Sequence, residues 1–543
     1  MKANKFFLGL ALVGAILTAC EKEPETPVAT GEVSYISVNL NYANQGTRAD
    51  FENGEENENA IKDVTFFFFD ANENAYAVNT NDFEEAGNGV SANSITVTKE
   101  QLGEMQPQTN GNPVEEISNA VLVIERNKVT PPSYMLAVVN CPNALKTAGH
   151  SLATLKEQTG AYNTIDNGQY FVMANSVYVN GAGEAMYATP ITNDNLAPSK
   201  EEALATGKPV EIYVERTAAK VRVNNFAQNG EKRFNTGITT NDGAEIWAEV
   251  TGWHVTDVNS TAYLLKKINP TWDPTTLGLT WNDAPRYRSY WATSTPDAQN
   301  TNRHPYSGSV IAGHNVAYDY YYENTTATAD NRSQLIVTAK FYAGETETQS
   351  IDIAEWWGVQ YTLEGLKTAI ANSLASQLYV ATETAGKYES ITPDYIAFEQ
   401  DENDATDESA TAKDEDRYWS NAVLATGEGL ATKFYNAQGR ELSEAEVTAI
   451  FEGVRHAKIW SKEFGGYYYL DIEHLGTGAT QYGLVRNHLY DYTLTNVSGL
   501  GTPIFDGEQI IIPEEPEGEE TFISAKLNVQ AWRVVTHNDV TLQ

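Results

Sequence analysis

Alternation of apolar and polar residues with a period of two constrains this chain more than any other feature. In "SYISVNLNY" the residues Ile36, Val38, Leu40 and Tyr42 fall on one face and Ser37, Asn39 and Asn41 on the other, the pattern of a half-buried strand. Comparable runs recur along the chain: "VTFFFFD", "AVLVIER", "YMLAVVN", "YFVMANSVYV", "VEIYVERTAAKVRV", "AEIWAEVTGWHV", "YDYYYENT", "QLIVTAKFY", "YYYLDIEHL", "HLYDYTLTNVSG" and "ISAKLNVQAWRVV". They are rich in β-branched and aromatic residues and are separated by turn formers. Helical periodicity is scarce. The strongest helical segment runs from Ile353 to Leu378, with shorter ones in "TLKEQTG" and "LSEAEVTAIFEGV". The expectation is a mainly β chain of β-sandwich domains with a few short surface helices.

At 543 residues the chain exceeds the roughly 250–300 residues that one core supports, so at least two domains are expected. A boundary falls inside "YVERTAAKVRV", where one strand can close the first domain and the next open the second; it divides residues 49–216 from 217–543. The tract from Glu399 to Arg417 reads as a solvated acidic insertion. As a calcium loop counted from Asp401 it fails, with Thr406 where glycine belongs and Ala412 where glutamate belongs.

The N-terminus has its own pattern. Lys2 and Lys5 precede an apolar run from Phe6 to Ala19, too short to span a bilayer and of the length of a signal-peptide core. It ends in Leu17-Thr18-Ala19-Cys20, followed by "EKEPETP". Branched apolar, small, small, Cys is a lipobox, which makes residues 1–19 a signal peptide and Cys20 the acylated residue that tethers the precursor to a membrane. An acylated Cys20 leaves Cys141, the second of 2 cysteines, without a partner, and its place in "SYMLAVVNCP" suits a small buried hydrophobe. Between Lys22 and Lys62 the only basic residue is Arg48. It stands where the first alternating run ends and an acidic, Gly/Asn-rich tract reaching Glu58 begins, a stretch suited to protease access.

A formal charge of -37 repels phosphate backbones, which excludes nucleic acid as a partner. The 8 His are scattered, with no HExxH spacing and no cysteine cluster, so no metal site is expected. Neither a Walker A loop nor a G-x-S-x-G elbow is present, and "SGLGTP" follows a strand and leads into Pro503, which makes it a tight turn rather than a dinucleotide loop. No catalytic residue and no cofactor is assigned, and an enzyme is not expected.

The lipobox and Arg48 stand together with "YMLAVVNCP", "FVMANSVY", "VERTAAKVRV", "EVTGWHVTDVN", "RYRSYWATS", "YYYENT", "YGLVRNHLYDYTLTNVSGLGTP" and "LNVQAWRVVTHNDVTL". In that order these stretches resemble the fimbrillins, the subunits of type V pili of Bacteroidales, and most of all the stalk subunit of the short (minor) fimbria. The resemblance implies two transthyretin-like β-sandwich domains in a lipoprotein precursor carried to the outer membrane. It also implies an arginine-specific protease that cuts after Arg48, leaving Ala49 as the new N-terminus and removing residues 20–48 with the strand of Ile36, Val38, Leu40 and Tyr42. A C-terminal strand of a neighbouring copy then fills the emptied groove. The fibre is a head-to-tail homopolymer with accessory anchor and tip subunits, supporting adhesion.

Here the donor would come from the C-terminal "FISAKLNVQAWRVVTHNDVTL". Ile523 to Val529 can be the last strand of its own domain, and the exchanged part is expected between Arg533 and Leu542, with Val534, Val535, Val540 and Leu542 as its apolar residues. The rival reading is a surface-anchored lipoprotein that binds glycans on Trp and Tyr platforms, with no proteolytic maturation. The chain holds 10 Trp and 30 Tyr, enough for such platforms and equally for core packing.

Overall fold

The structure is a computed structural model that describes residues 33–42, 58, 60–78, 93–102, 117–125, 131–146, 149–162, 170–180, 182, 184–197, 200–205, 208–224, 233–268, 291–296, 304–305, 317–325, 332–400, 419–474, 481–504, 507, 510–511, 522–530 and 535–536. Among these the chain is mainly β, in several sheets, with few and short helices.

The first unit is a nine-stranded sheet. Its main path runs Leu196–Ala197, Val33–Tyr42, Val210–Arg216, Met173–Asn175, Tyr134–Val139, Asp63–Phe69, Ser94–Thr98; off that path Ile117–Glu125 pairs with Val33–Tyr42 and Thr189–Pro190 with Tyr134–Val139. The run "DVTFFFF" is buried at every position, so this sheet is covered on both faces. Phe66 and Phe68 join Val38, Val64, Leu122 and Ile212 in one cluster. Phe67 and Phe69 point the other way and pack with Leu145, Leu152 and Leu155 from the short helices Asn143–Lys146 and Leu152–Lys156. Cys141 is buried in that second cluster as a free thiol, and burial pushes the thiol up to about 12, which makes it a packing residue.

The second unit is a sandwich of two five-stranded sheets. One is ordered Tyr318–Tyr321, Ala219–Asn224, Leu489–Ser498, Phe522–Gln530, Val535–Thr536, the other Arg233–Thr239, Glu245–Val255, Gln334–Tyr342, Gly466–Asp471, Thr502–Pro503. Val221, Val223, Tyr490 and Leu494 from the first sheet and Val250, Trp253, Val337 and Tyr468 from the second share one core. Strands Val210–Arg216 and Ala219–Asn224, two residues apart, belong to different sheets. "SGLGTP" is a tight connection between Leu489–Ser498 and Thr502–Pro503, with Gly499 at φ 71 and Gly501 at φ 64. A Cβ on Gly501 would lie 2.4 Å from the Tyr467 carbonyl.

Between the paired strands Gln334–Tyr342 and Gly466–Asp471 the chain leaves the sandwich and builds a third core from Leu366, Ile370, Leu374, Tyr395, Phe434, Val447 and Phe451. Here the helical expectation needs correction. Only Leu363–Leu374 is helical; the first part of the segment is a hairpin of Ile353–Trp356 and Val359–Thr362. "WG" at its centre takes positive φ at both residues, which reverses the chain, and Thr362 then caps the helix by accepting from the Gly365 N–H at 3.1 Å. The helix Glu444–Glu452 lies within "LSEAEVTAIFEGV" as expected. The acidic insertion lies outside the described residues except Glu399 and Gln400, which close the strand Ile396–Gln400.

Candidate functional site

Strand Val33–Tyr42 is held on both edges. It pairs antiparallel with Ile117–Glu125, from Val33↔Glu125 to Asn41↔Ile117. On its other edge it pairs parallel with Val210–Arg216, from Val38↔Val210 to Tyr42↔Val214, and antiparallel with Ala197 and Leu196 through Tyr35 and Ile36. Val38 is 0% exposed, in the cluster with Ala120, Leu122, Val210 and Ile212. Burying one such side chain contributes about 1.5–3 kcal/mol. Without this strand the sheet would present two unpaired ladder edges and the apolar trough between them, a template for strand addition.

Of the residues singled out in the sequence, Ile36, Val38, Leu40 and Tyr42 lie together on this strand. Cys20, Arg48 and Ala49 lie outside the described residues, as do Val534, Val540 and Leu542. Phe522–Gln530 pairs along its length with Leu489–Ser498, so Ile523 to Val529 is a strand of its own sheet. Val535 lies in Val535–Thr536, which pairs with that strand through Val529↔Val535 and Asn528↔Thr536 and is the edge of the sheet.

The acidic tract after Arg48 is not solvent-exposed at its far end. Glu58 is 1% exposed and accepts from Lys220 Nζ at 2.6 Å, and the Tyr320 hydroxyl also donates to it. Its carbonyl accepts from Arg216 Nε at 3.1 Å. Burial by itself would raise the Glu58 carboxyl, but Lys220, Arg216 and the hydrogen bonds outweigh it and hold the group below the usual glutamate range. Glu58 thus ties the segment leading into Asp63–Phe69 to strand Ala219–Asn224 of the sandwich.

Two further buried ion pairs stand beside it. Lys266 Nζ contacts Glu215 Oε2 at 2.7 Å, and Arg486 Nη2 contacts Glu323 Oε2 at 2.7 Å and donates to the Tyr263 carbonyl at 2.7 Å. Burial raises the Glu215 carboxyl despite Lys266 and Arg486. Arg486 is held above its ordinary value because Glu323 outweighs the burial that would lower it. Sequence reading missed these groups as a site. Their signal was present: Glu215, Arg216 and Lys220 come from "VERTAAKVRV", Glu323 from "YYYENT" and Arg486 from "YGLVRNHLYDY". A charge inside an otherwise apolar strand run needs a partner.

Scattered in sequence, His474 and His488 come within 4.9 Å ring to ring, and His474 Nδ1 lies 2.9 Å from the Tyr490 hydroxyl. Among the described residues, no group of three or more His, Cys, Asp or Glu is placed to hold a metal.

Residues 463–538 match the family model described as major fimbrial subunit protein type IV, fimbrillin, C-terminal. That match supports the likeness to the fimbrillins carried by the sequence motifs, and it does not separate minor from major subunits. No curated protein matches the chain. Among solved structures, a fimbrillin of Porphyromonas gingivalis W83 is 12% identical over 91% of this chain and 97% of that one, at a TM-score of 0.31. The tip fimbrial protein Mfa3 of Porphyromonas gingivalis is 12% identical over 90% and 99%, at 0.28. A cell adhesion protein of Parabacteroides distasonis is 10% identical over 91% and 95%, at 0.34.

Proposed function

We propose that this chain is the stalk subunit of a short fimbria, matured by proteolysis and polymerised by strand exchange. The precursor is lipidated at Cys20 and anchored in the outer membrane. An arginine-specific protease cuts between Arg48 and Ala49, which releases residues 20–48 with strand Val33–Tyr42. A C-terminal segment of a second copy, with Val534, Val535, Val540 and Leu542 as its apolar residues, then enters between Ile117–Glu125 and Val210–Arg216. Residues 49–216 and 217–543 are its two domains, and anchor and tip subunits are its accessory partners. The chain has no catalytic role in this scheme.

One observation carries the reading: the strand that precedes the lone Arg48 completes a sheet on both edges, so its loss leaves a slot for one strand. Removal of residues 1–48 as a whole leaves the formal charge at -37, because they hold Lys2, Lys5, Lys22 and Arg48 against Glu21, Glu23, Glu25 and Glu32. A head-to-tail joint of this kind does not close on itself and makes a filament.

N-terminal sequencing with intact mass on material sheared from the cell surface tests the scheme. A start at Ala49 without lipid, together with an Arg48→Ala variant that stays monomeric and anchored, is the expected result. A start at acylated Cys20 in the assembled material would sink it and favour the anchored glycan-binding lipoprotein.

A further inference from the structure

The third core carries a surface feature that strand exchange does not use. Its hairpin turns through Trp357 and Gly358 at φ 57 and 72, between Trp356 and Val359, which pair with each other. Positive φ at both central residues of a two-residue turn is the type I′ pattern, whose first position favours Asn, Asp or Gly. A bulky side chain there is an outlier of the kind that clusters at ligand sites. Trp357 is also 63% exposed, the most exposed large hydrophobic residue among the described residues. A solvent-facing tryptophan thus occupies a position where asparagine would be better suited to both backbone and solvent.

The indole is held in place. The Arg455 guanidinium lies 4.3 Å over its centroid. Trp356 meets it edge to face at 6.4 Å and is itself fixed by donating from Nε1 to the Arg455 carbonyl at 3.0 Å. Trp419 also lines the site, with Lys458 Nζ 4.7 Å from its ring centroid. Trp357, Trp419, Glu452, Arg455 and His456 line an open cleft of about 520 Å³, within the range of small-ligand sites. Glu452, Arg455 and His456 are exposed, so an acceptor and two donors face solvent beside the aromatic planes.

We infer that this cleft binds a pyranose unit of a glycan. Such a ring has an apolar C–H face that stacks on an indole and a rim of hydroxyls that needs both donors and acceptors, and the cleft supplies each. Its openness suits a saccharide lying along a surface. The polymer would then display this site on every copy, a repeated weak contact that gains by multivalency. The inference does not depend on strand exchange, since the cleft is complete within one chain and an Arg48→Ala protein carries it too.

The test is a glycan array of neutral and of sialylated or uronic-acid oligosaccharides probed with the full chain carrying Arg48→Ala, followed by titration of a bound oligosaccharide. Binding that falls at least tenfold in Trp357→Asn is expected. That variant places the preferred residue in the turn and keeps the fold, so its loss of binding cannot be assigned to unfolding. Affinity for carboxylated sugars that falls in Arg455→Gln identifies an acidic glycan, and affinity for neutral sugars that falls in Glu452→Gln identifies a neutral one; either supports the site. No bound oligosaccharide at millimolar concentration, or binding that Trp357→Asn leaves unchanged, overturns it.

Discussion

At the junction of the first sheet with the sandwich, Lys220–Glu58, Lys266–Glu215 and Arg486–Glu323 pair with every side chain 3% exposed or less. Their partners are 162, 51 and 163 residues apart in sequence. In the inserted third core, Lys367–Glu364, Lys433–Glu441 and Arg440–Glu446 each have a partner at least half exposed, and they are 3, 8 and 6 residues apart. Water sets the difference. Exposed pairs exchange one good solvation for another and contribute little, whereas buried charges are tolerable only as complete pairs. The junction is therefore a place where single changes are severe, and the inserted core one where local rules govern.

The largest effect that would break this contrast is at Arg486. Arg486→Met leaves the Glu323 carboxylate buried without its cation, and a loss of about 3–5 kcal/mol in urea unfolding is expected. The double variant Arg486→Met/Glu323→Gln should recover part of that loss, because the uncompensated charge is gone. A single variant as stable as the parent would put the junction in the same class as the surface pairs.

Acid sharpens the contrast. The folded Glu58 carboxyl lies below its ordinary value, so the stability it contributes is present above about pH 4.3, the unfolded value, and is lost as the pH falls through the depressed folded value. Melting temperature measured across that window should fall less steeply in Glu58→Gln than in the parent. Parallel curves would mean that the carboxylate is not paired as described.

The smallest expected effect is local. Ser443 accepts from the Glu446 N–H at 3.3 Å and its own N–H donates to Glu446 Oε2 at 2.8 Å, a capping box. Ser443→Ala should cost about 1 kcal/mol. Amide exchange should quicken in Glu444–Glu452 and stay unchanged in Ala219–Asn224. Faster exchange at the junction as well would mean that the two regions unfold together.

The fimbrillin likeness was legible because its motifs are strings of neighbouring residues, and the family match at residues 463–538 falls on two of them, "YGLVRNHLYDYTLTNVSGLGTP" and "LNVQAWRVVTHNDVTL". The buried charges in those same motifs were not read as a site, since nothing near Lys220 in the chain announces Glu58. The helix expected from Ile353 failed over its first turns for a related reason. "IAEWWGVQYT" has apolar residues compatible with either periodicity, and what decides for a hairpin is the positive φ of Trp357 and Gly358 together with the neighbouring strand Lys458–Trp460, which pairs with Ile353–Trp356.

By itself the sequence determined the mainly β character, the buried inert role of Cys141, the tight turn at Gly499 to Gly501 and the alternating face of Val33–Tyr42. Each follows from a period or a residue type acting over a few positions. Only the tertiary structure decided that Val33–Tyr42 lies between Ile117–Glu125 and Val210–Arg216, parallel to the latter, and that Glu58 reaches Lys220. Alternation specifies which face of a strand is buried; which strand lies beside it is settled by backbone hydrogen bonds that are the same for every sequence, and so by the packing of the whole sheet.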